Sequence, residues 1–200
     1  KAPTAYVKVQ VNNAIGANII MPEGFNFITS IQGVTYQFVN TTERIIQPSS
    51  GIYVFGASSG IPVYEGTWTT SRFTVDLSNA DQKFILPNIG VDISTLKVQV
   101  QTSVGDSTTA TYTPATSLVD ITATTQAYFV QETVNGEWEI YFGDGIVGKS
   151  LIDGNIVILK YVITNGVDAN GAISFTADAG ISGFADITTT TMTAAAGGAN

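Results

Sequence analysis

Apolar side chains recur in this chain at every second residue. No stretch of ten or more carries them at the i, i+3, i+4 and i+7 spacing of a helical face. Tyr6-Val7-Lys8-Val9-Gln10-Val11 places Val7, Val9 and Val11 on one side of a strand, and Leu96-Lys97-Val98-Gln99-Val100-Gln101 does the same for Leu96, Val98 and Val100. Thr is the commonest residue, and Ile and Val greatly outnumber Leu. Such β-branched side chains lose χ1 freedom in a helix but fit a pleated surface. The expected fold is all-β, with antiparallel strands in sandwich or barrel-like units and little or no helix.

Turn signals divide the strands. Asn135-Gly136 separates residues 126–134 from 137–142 and predicts a type I′ hairpin turn, with both residues at positive φ. Asp153-Gly154 precedes Ile156-Val157-Ile158-Leu159-Lys160-Tyr161-Val162-Ile163, a run too continuously apolar for an edge strand and therefore expected to be central and covered on both faces. Asn165-Gly166 ends it, and Asn170-Gly171 turns the chain again.

Residues 1–66, broken by Gly24, Gly33, Gly51, Gly56 and Gly60, read as a first β unit to which residues 167–187 return. Residues 67–166 read as a second β unit inserted between them. Residues 188–200, built from Thr, Ala and Gly with a final Asn and a single Met, have little to bury and read as a flexible tail.

Several chemistries are disfavoured by composition. The 200 residues include no Cys and no His, which removes thiol nucleophiles, disulfides, thiolate zinc sites and imidazole-based triads. Lys and Arg number 8 against 16 Asp and Glu, a net charge of −8 that argues against a phosphate-binding surface or a polybasic membrane patch. No apolar run approaches the roughly 18 residues of a membrane span. The chain opens at Lys1-Ala2-Pro3, without an initiator Met or a charged-then-apolar leader pattern.

Gly143-Asp144-Gly145-Ile146-Val147-Gly148-Lys149-Ser150 matches the G-x-x-x-x-G-K-[ST] phosphate-binding loop. That mechanism needs a helix starting at the Lys, and here only Ser150-Leu151-Ile152 precedes the Asp153-Gly154 turn. A glycine-bent β-turn is the better reading. Asp144, Asp153, Asp168 and Asp178 lie near Gly or Asn, which suggests calcium. Turns ask for the same residues, and six or more converging oxygens are not evident. Glu132, Glu137 and Glu139 fall on one hairpin and could in principle pair for glycoside hydrolysis, with Glu132 across the turn from the other two. An acidic surface explains them equally well. Tyr64, Trp68 and Tyr112 could stack on sugars, although strand aromatics more often fill cores. The residues thus point to an acidic module with no catalytic residue, cofactor, metal or small-molecule substrate, used for structure or interaction.

A resemblance sharpens this. Residues 139–149, with Phe142, Gly143, Asp144, Gly145 and Gly148, then Asp153-Gly154-Asn155 and its strand, then the Tyr161 to Gly166 segment, resemble the F-G-D-G-x-x-G … D/N-G-N-x-I … Y-x-V-T-x-G signature of the baseplate J family. The likeness is to its T4 gene product 6-like branch. Asn13-Ala14-Ile15-Gly16, Ile20 to Gly24, Val63-Tyr64-Glu65-Gly66, Phe84 to Pro87, Val91 to Val98 and Ala196 to Ala199 are similar to the same family. The sequence departs from it at Glu23, where Ala is common, and in the uniform Thr188–Thr191 run. The resemblance implies a middle portion of a structural subunit of the baseplate wedge of a contractile-tailed bacteriophage. Such subunits contact copies of themselves and other wedge proteins, assemble in the host cytoplasm and take part in tail contraction. It implies no enzymatic role, no nucleic acid and no membrane. The alternative from another class is a carbohydrate-binding module of a phage tail fibre or bacterial surface protein. Gly143, Gly145 and Gly148 are expected to let a bent chain pass close to neighbouring backbone, so that Gly145→Val would misfold the module.

Overall fold

A computed structural model describes residues 1–16, 18–48, 52–117 and 119–200; the predicted break at Gly51 lies outside the described residues. The strands are β1 (Thr4–Val11), β2 (Ile19–Met21), β3 (Phe25–Ile31), β4 (Val34–Asn40), β5 (Arg44–Ile46), β6 (Tyr53–Phe55), β7 (Ile61–Glu65) and β8 (Thr67–Thr74). They continue as β9 (Phe84–Ile85), β10 (Val91–Gln101), β11 (Thr109–Pro114), β12 (Ala127–Glu132), β13 (Trp138–Phe142), β14 (Ile156–Ile163), β15 (Thr176–Ala177) and β16 (Ile187–Ala196). No helix occurs among the described residues, so the fold is all-β. The chain forms two compact units: unit 1 is Lys1–Trp68 with Val162–Asn200, and unit 2 is Thr69–Tyr161.

In unit 1 the sheet runs β15-β3-β4-β7-β1-β16, with β6 also paired to β1. The alternation of β1 is realised: Val7, Val9 and Val11 are fully buried, beside Phe27, Phe38, Tyr53 and Phe55 in one core. β2 and β5 form a separate two-stranded ribbon. Between β3 and β4, Ile31 pairs with Val34, and Gln32 and Gly33 take φ of 50° and 85°. That is the two-residue type I′ turn, whose twist matches the strands it joins.

The expected flexible tail is instead a strand through Ala196. β16 pairs with β1 from Thr4↔Ala196 to Val11↔Ile187, and Ala195 is buried. The uniform threonines have a role here. Thr189 Oγ1 donates to the Phe175 carbonyl and Thr191 Oγ1 to that of Ile173 (2.7 Å), tying β16 to the segment leading into β15. The sheet therefore curls back towards its own first strand. Thr suits a strand position by its branching, and its hydroxyls supply the bonds that a low-burial strand lacks in packing.

In unit 2 the sheet order is β8-β14-β10-β11-β12-β13-β9. Leu96, Val98 and Val100 of β10 are buried, as the alternation requires. β14 lies between β8 and β10, and Val157, Ile158 and Leu159 are buried in succession, so both of its faces are covered. β11 and β12 pair in parallel.

The hairpin at Asn135-Gly136 forms with a different turn from the one predicted. Glu132 pairs with Trp138, Thr133 N donates to Glu137 O (2.8 Å) and Gly136 N to Thr133 O (3.0 Å). Only Gly136 of the pair has positive φ, 77°. This is a three-residue loop, a turn closed by a left-handed glycine bulge.

Candidate functional site

The densest group of sequence-predicted residues is the loop leaving β13. Phe142 ends that strand with its ring edge-on to Phe84 (5.6 Å) and Tyr112 (5.4 Å). The chain then folds back on itself at once. A Cβ added at Gly143 would lie 2.2 Å from the Gly148 carbonyl carbon, so no larger residue fits without moving backbone. Gly145 and Gly148 both have φ of 86°.

Hydrogen bonding decides what this loop can do. Asp144 Oδ1 accepts the amides of Ile146 and Val147, both at 2.9 Å. Gly145 N donates to Gly148 O (3.0 Å), Gly148 N to Thr122 O (3.1 Å) and Lys149 N to Thr125 O (2.8 Å). A phosphate-binding loop works by aiming such amides, and a helix N-terminus, at an anion. Here the five amides from 145 to 149 are spent within the protein, and residues 149–155 form no helix. The loop carries its own anion in the Asp144 carboxylate. Its amides hold that carboxyl below its ordinary value of 3.8, Val147 more than Ile146.

The Asp153-Gly154-Asn155 turn is a staple ahead of β14. Asp153 Oδ1 accepts Leu77 N (2.9 Å), Gly154 N donates to Val75 O (2.9 Å) and Val75 N to Asn155 O (2.8 Å). Asn155, itself buried, donates Nδ2 to Thr102 O and accepts Ile152 N on Oδ1, both at 2.9 Å. The turn thus bonds to chain just past both strands flanking β14, which fixes where that strand enters the sheet. Gly166 belongs to unit 1 and is not part of this group. Its φ is 77°, and its amide donates to Thr164 Oγ1 (3.1 Å).

The carboxylates of the β12–β13 hairpin are not arranged as a pair. Glu139 stands opposite Gln131 and Glu132 opposite Trp138, so Glu132 sits on the other face. Glu139 is buried, accepts Gln131 Nε2 (2.8 Å) and lies 3.6 Å from Lys83 Nζ, while Glu132 and Glu137 are exposed. Among the described residues no group of three or more carboxylates could hold a metal ion. Of the aromatic candidates, Tyr112 is buried, which pushes its phenol up. Tyr64 and Trp68 pack against Ala2, Val39 and Val162 in unit 1.

One polar centre escaped the sequence reading. Glu65, at the end of β7, is 1% exposed. Its Oε2 accepts Thr164 Oγ1 (2.5 Å) and Asn165 N (3.0 Å), and its Oε1 accepts Asn165 Nδ2 (2.7 Å). Next to it Gly66, at φ 120°, passes so close to Ile163 that an added Cβ would meet its carbonyl oxygen at 2.0 Å. Together they join the segment where the chain leaves unit 1 to the segment where it returns. The only local signal was a Glu before a Gly at a strand end.

These geometries set backbone shape, and comparisons with known proteins find a similarity over the same part of the chain. Residues 72–166 match the family model described as bacteriophage baseplate wedge protein gp6, third domain. Baseplate wedge protein gp6 of Enterobacteria phage T4 is 31% identical over 74 residues, covering 30% of this chain and 11% of that protein. The chain therefore spans a small part of the curated relative it matches. Residues 72–166 are thus similar to the third domain of gp6 baseplate wedge proteins.

Proposed function

We propose that this chain is a structural portion of the baseplate wedge of a contractile-tailed phage, working through protein–protein contacts during assembly and tail contraction. The observation that carries the reading is the overlap of the family match, 72–166, with unit 2, 69–161, including the loop and staple around Asp144 and Asn155. Those residues make bonds that set backbone shape, and the similarity to a baseplate wedge protein supports a non-enzymatic role. On this reading the partners are other wedge subunits and further copies of the chain, and the setting is the virion tail baseplate after assembly in the host cytoplasm. Unit 2 is read as a module inserted into unit 1, and Phe142 through Gly148 as its shape-holding element.

The test is co-assembly. The chain, mixed with wedge subunits of the same phage, should co-sediment as a defined complex. Failure to do so, together with selective binding on a glycan array, would replace this reading with that of a carbohydrate-binding module.

A further inference from the structure

The sequence contains three Asn-Gly pairs, at 135–136, 165–166 and 170–171. This dipeptide is chemically special, because the glycine amide nitrogen can attack the asparagine side-chain carbonyl with no Cβ in the way. The fold treats the three very differently.

Asn165 is locked at both ends of the reaction. Its Nδ2 donates to the buried Glu65 carboxylate (2.7 Å), its own amide to the same carboxylate (3.0 Å), and Gly166 N to Thr164 Oγ1 (3.1 Å). Asn170 is locked too. Its Oδ1 accepts Gly198 N (3.0 Å), its Nδ2 donates to Gly198 O (3.3 Å), and Gly171 N donates to Ala195 O (2.7 Å), in the chain that follows β16 and within it. In both cases the side chain must leave partners distant in sequence before its carbonyl carbon can turn towards the glycine nitrogen.

Asn135 has no such hold. It is exposed at the tip of the β12–β13 hairpin, and its carboxamide makes no hydrogen bond among the described residues. The single restraint is Gly136 N to Thr133 O (3.0 Å), a bond inside one turn, and an exposed turn opens locally far more readily than a core ladder.

We infer that Asn135 is a site of spontaneous, fold-directed deamidation, while Asn165 and Asn170 are protected by the native structure. The step balances without any co-reactant except water. The deprotonated Gly136 nitrogen forms a bond to Asn135 Cγ, and the Cγ–Nδ2 bond breaks, releasing ammonia and closing a succinimide. Water then opens that ring. Cleavage of the Cγ–N bond leaves aspartate, and cleavage of the backbone C–N bond leaves isoaspartate, with the chain rerouted through the side chain. Either product adds one negative charge beside Glu132 and Glu137. The isoaspartyl product also lengthens the backbone of a three-residue loop whose length sets the register of β12 on β13.

The experiment is peptide mapping by mass spectrometry after ageing the intact protein in mildly alkaline buffer, native and in concentrated urea. In the native protein the gain of one mass unit should accumulate at Asn135, at least tenfold faster than at Asn165 or Asn170. In urea the three rates should converge to within a few-fold. Equal rates in the native protein would overturn the inference. So would an Asn135 preference that persists undiminished in urea, since sequence context and not the fold would then set it.

Discussion

Two carboxylates organise two loops in this protein by the same means, and they differ in where their donors come from. Asp144 accepts amides two and three residues along its own chain and is exposed. Glu65 accepts from Thr164 and Asn165, 99 and 100 residues away, and is buried. A charged acceptor in a buried site is stabilising only while its donors are in place, and removing one partner leaves the others desolvated and unsatisfied. An exposed acceptor is replaced by water at little cost. The Asp144 loop is therefore the more recognisable of the two, and the Glu65 junction is expected to matter more for stability.

The comparison can be broken at its strong end first. Gly66→Ala would add a Cβ 2.0 Å from the Ile163 oxygen at a φ of 120°, a clash with backbone on top of conformational strain. The expected loss is about 4 kcal/mol, the sum of an overpacking and a backbone term. Trp68 lies in unit 1 and Trp138 in unit 2, so fluorescence of single-tryptophan variants follows each unit separately. The denaturant midpoint reported by Trp68 should fall sharply. An unchanged midpoint would mean that Gly66 is not where the returning chain is held.

Glu65→Ala comes next. Three donors lose their acceptor, one of them a backbone amide, for an expected cost of about 3 kcal/mol. A double-mutant cycle with Asn165→Ala should show strong coupling, because the second change removes one of the stranded donors. Additive effects would demote the junction to an ordinary surface contact.

Gly143→Ala probes the other loop. Its Cβ would lie 2.2 Å from the Gly148 carbonyl carbon, but residues 144–147 between them are exposed and can shift, so about 2 kcal/mol is expected, read by Trp138. Gly145 is not the close approach expected from the sequence: a Cβ there meets no backbone within 4 Å, so Gly145→Val suffers from its φ of 86°, at about 1–2 kcal/mol, and is not expected to misfold the module. If Gly145→Val proved the worse of the two, conformation rather than close approach would be the reason for the glycines.

What the sequence made legible follows the same division between near and far. The period-two runs of β1 and β10 and the doubly buried β14 could be read because each pattern is written in consecutive residues. The internal turns could be placed for the same reason, though not always typed. Asn135-Gly136 has the favoured residues for a type I′ turn but sits in a three-residue loop, while Gln32-Gly33 forms the type I′ turn with Gln in place of Asn at its first position. The register of the flanking strands decides turn length, and register is a long-range property. β16 was misread as a tail because its Thr-Ala sequence shows no hydrophobic alternation. It is held by β1, far away in sequence, and by hydroxyl bonds to the carbonyls of residues 173 and 175. Of the Phe142–Asn155 group, the Asp144 loop is bonded within consecutive residues, but the bonds to Thr122, Thr125, Leu77, Val75 and Thr102 are not written near it in sequence. Glu65 could not be read, because nothing near it in sequence supplies its donors.

The smallest effect tests the weak end. Asp144 is held below its ordinary value of 3.8 by the Val147 and Ile146 amides, so its folded form binds a proton less readily than its unfolded form does. A depressed carboxyl contributes stability that is fully present above about pH 4 and is lost as the pH falls through the lower folded value. Asp144→Ala should therefore lower the unit 2 midpoint slightly at neutral pH, and the gap between variant and parent should close on acidification. Asp76 and Asp106 are depressed in the same way, by Ser78 and Thr108. The difference between parent and variant cancels their contributions, since both are retained in each protein. A gap that stays constant down to low pH would show that Asp144 acts through its shape in the turn and not through its charge. The two loops would then differ in chemistry as well as in reach.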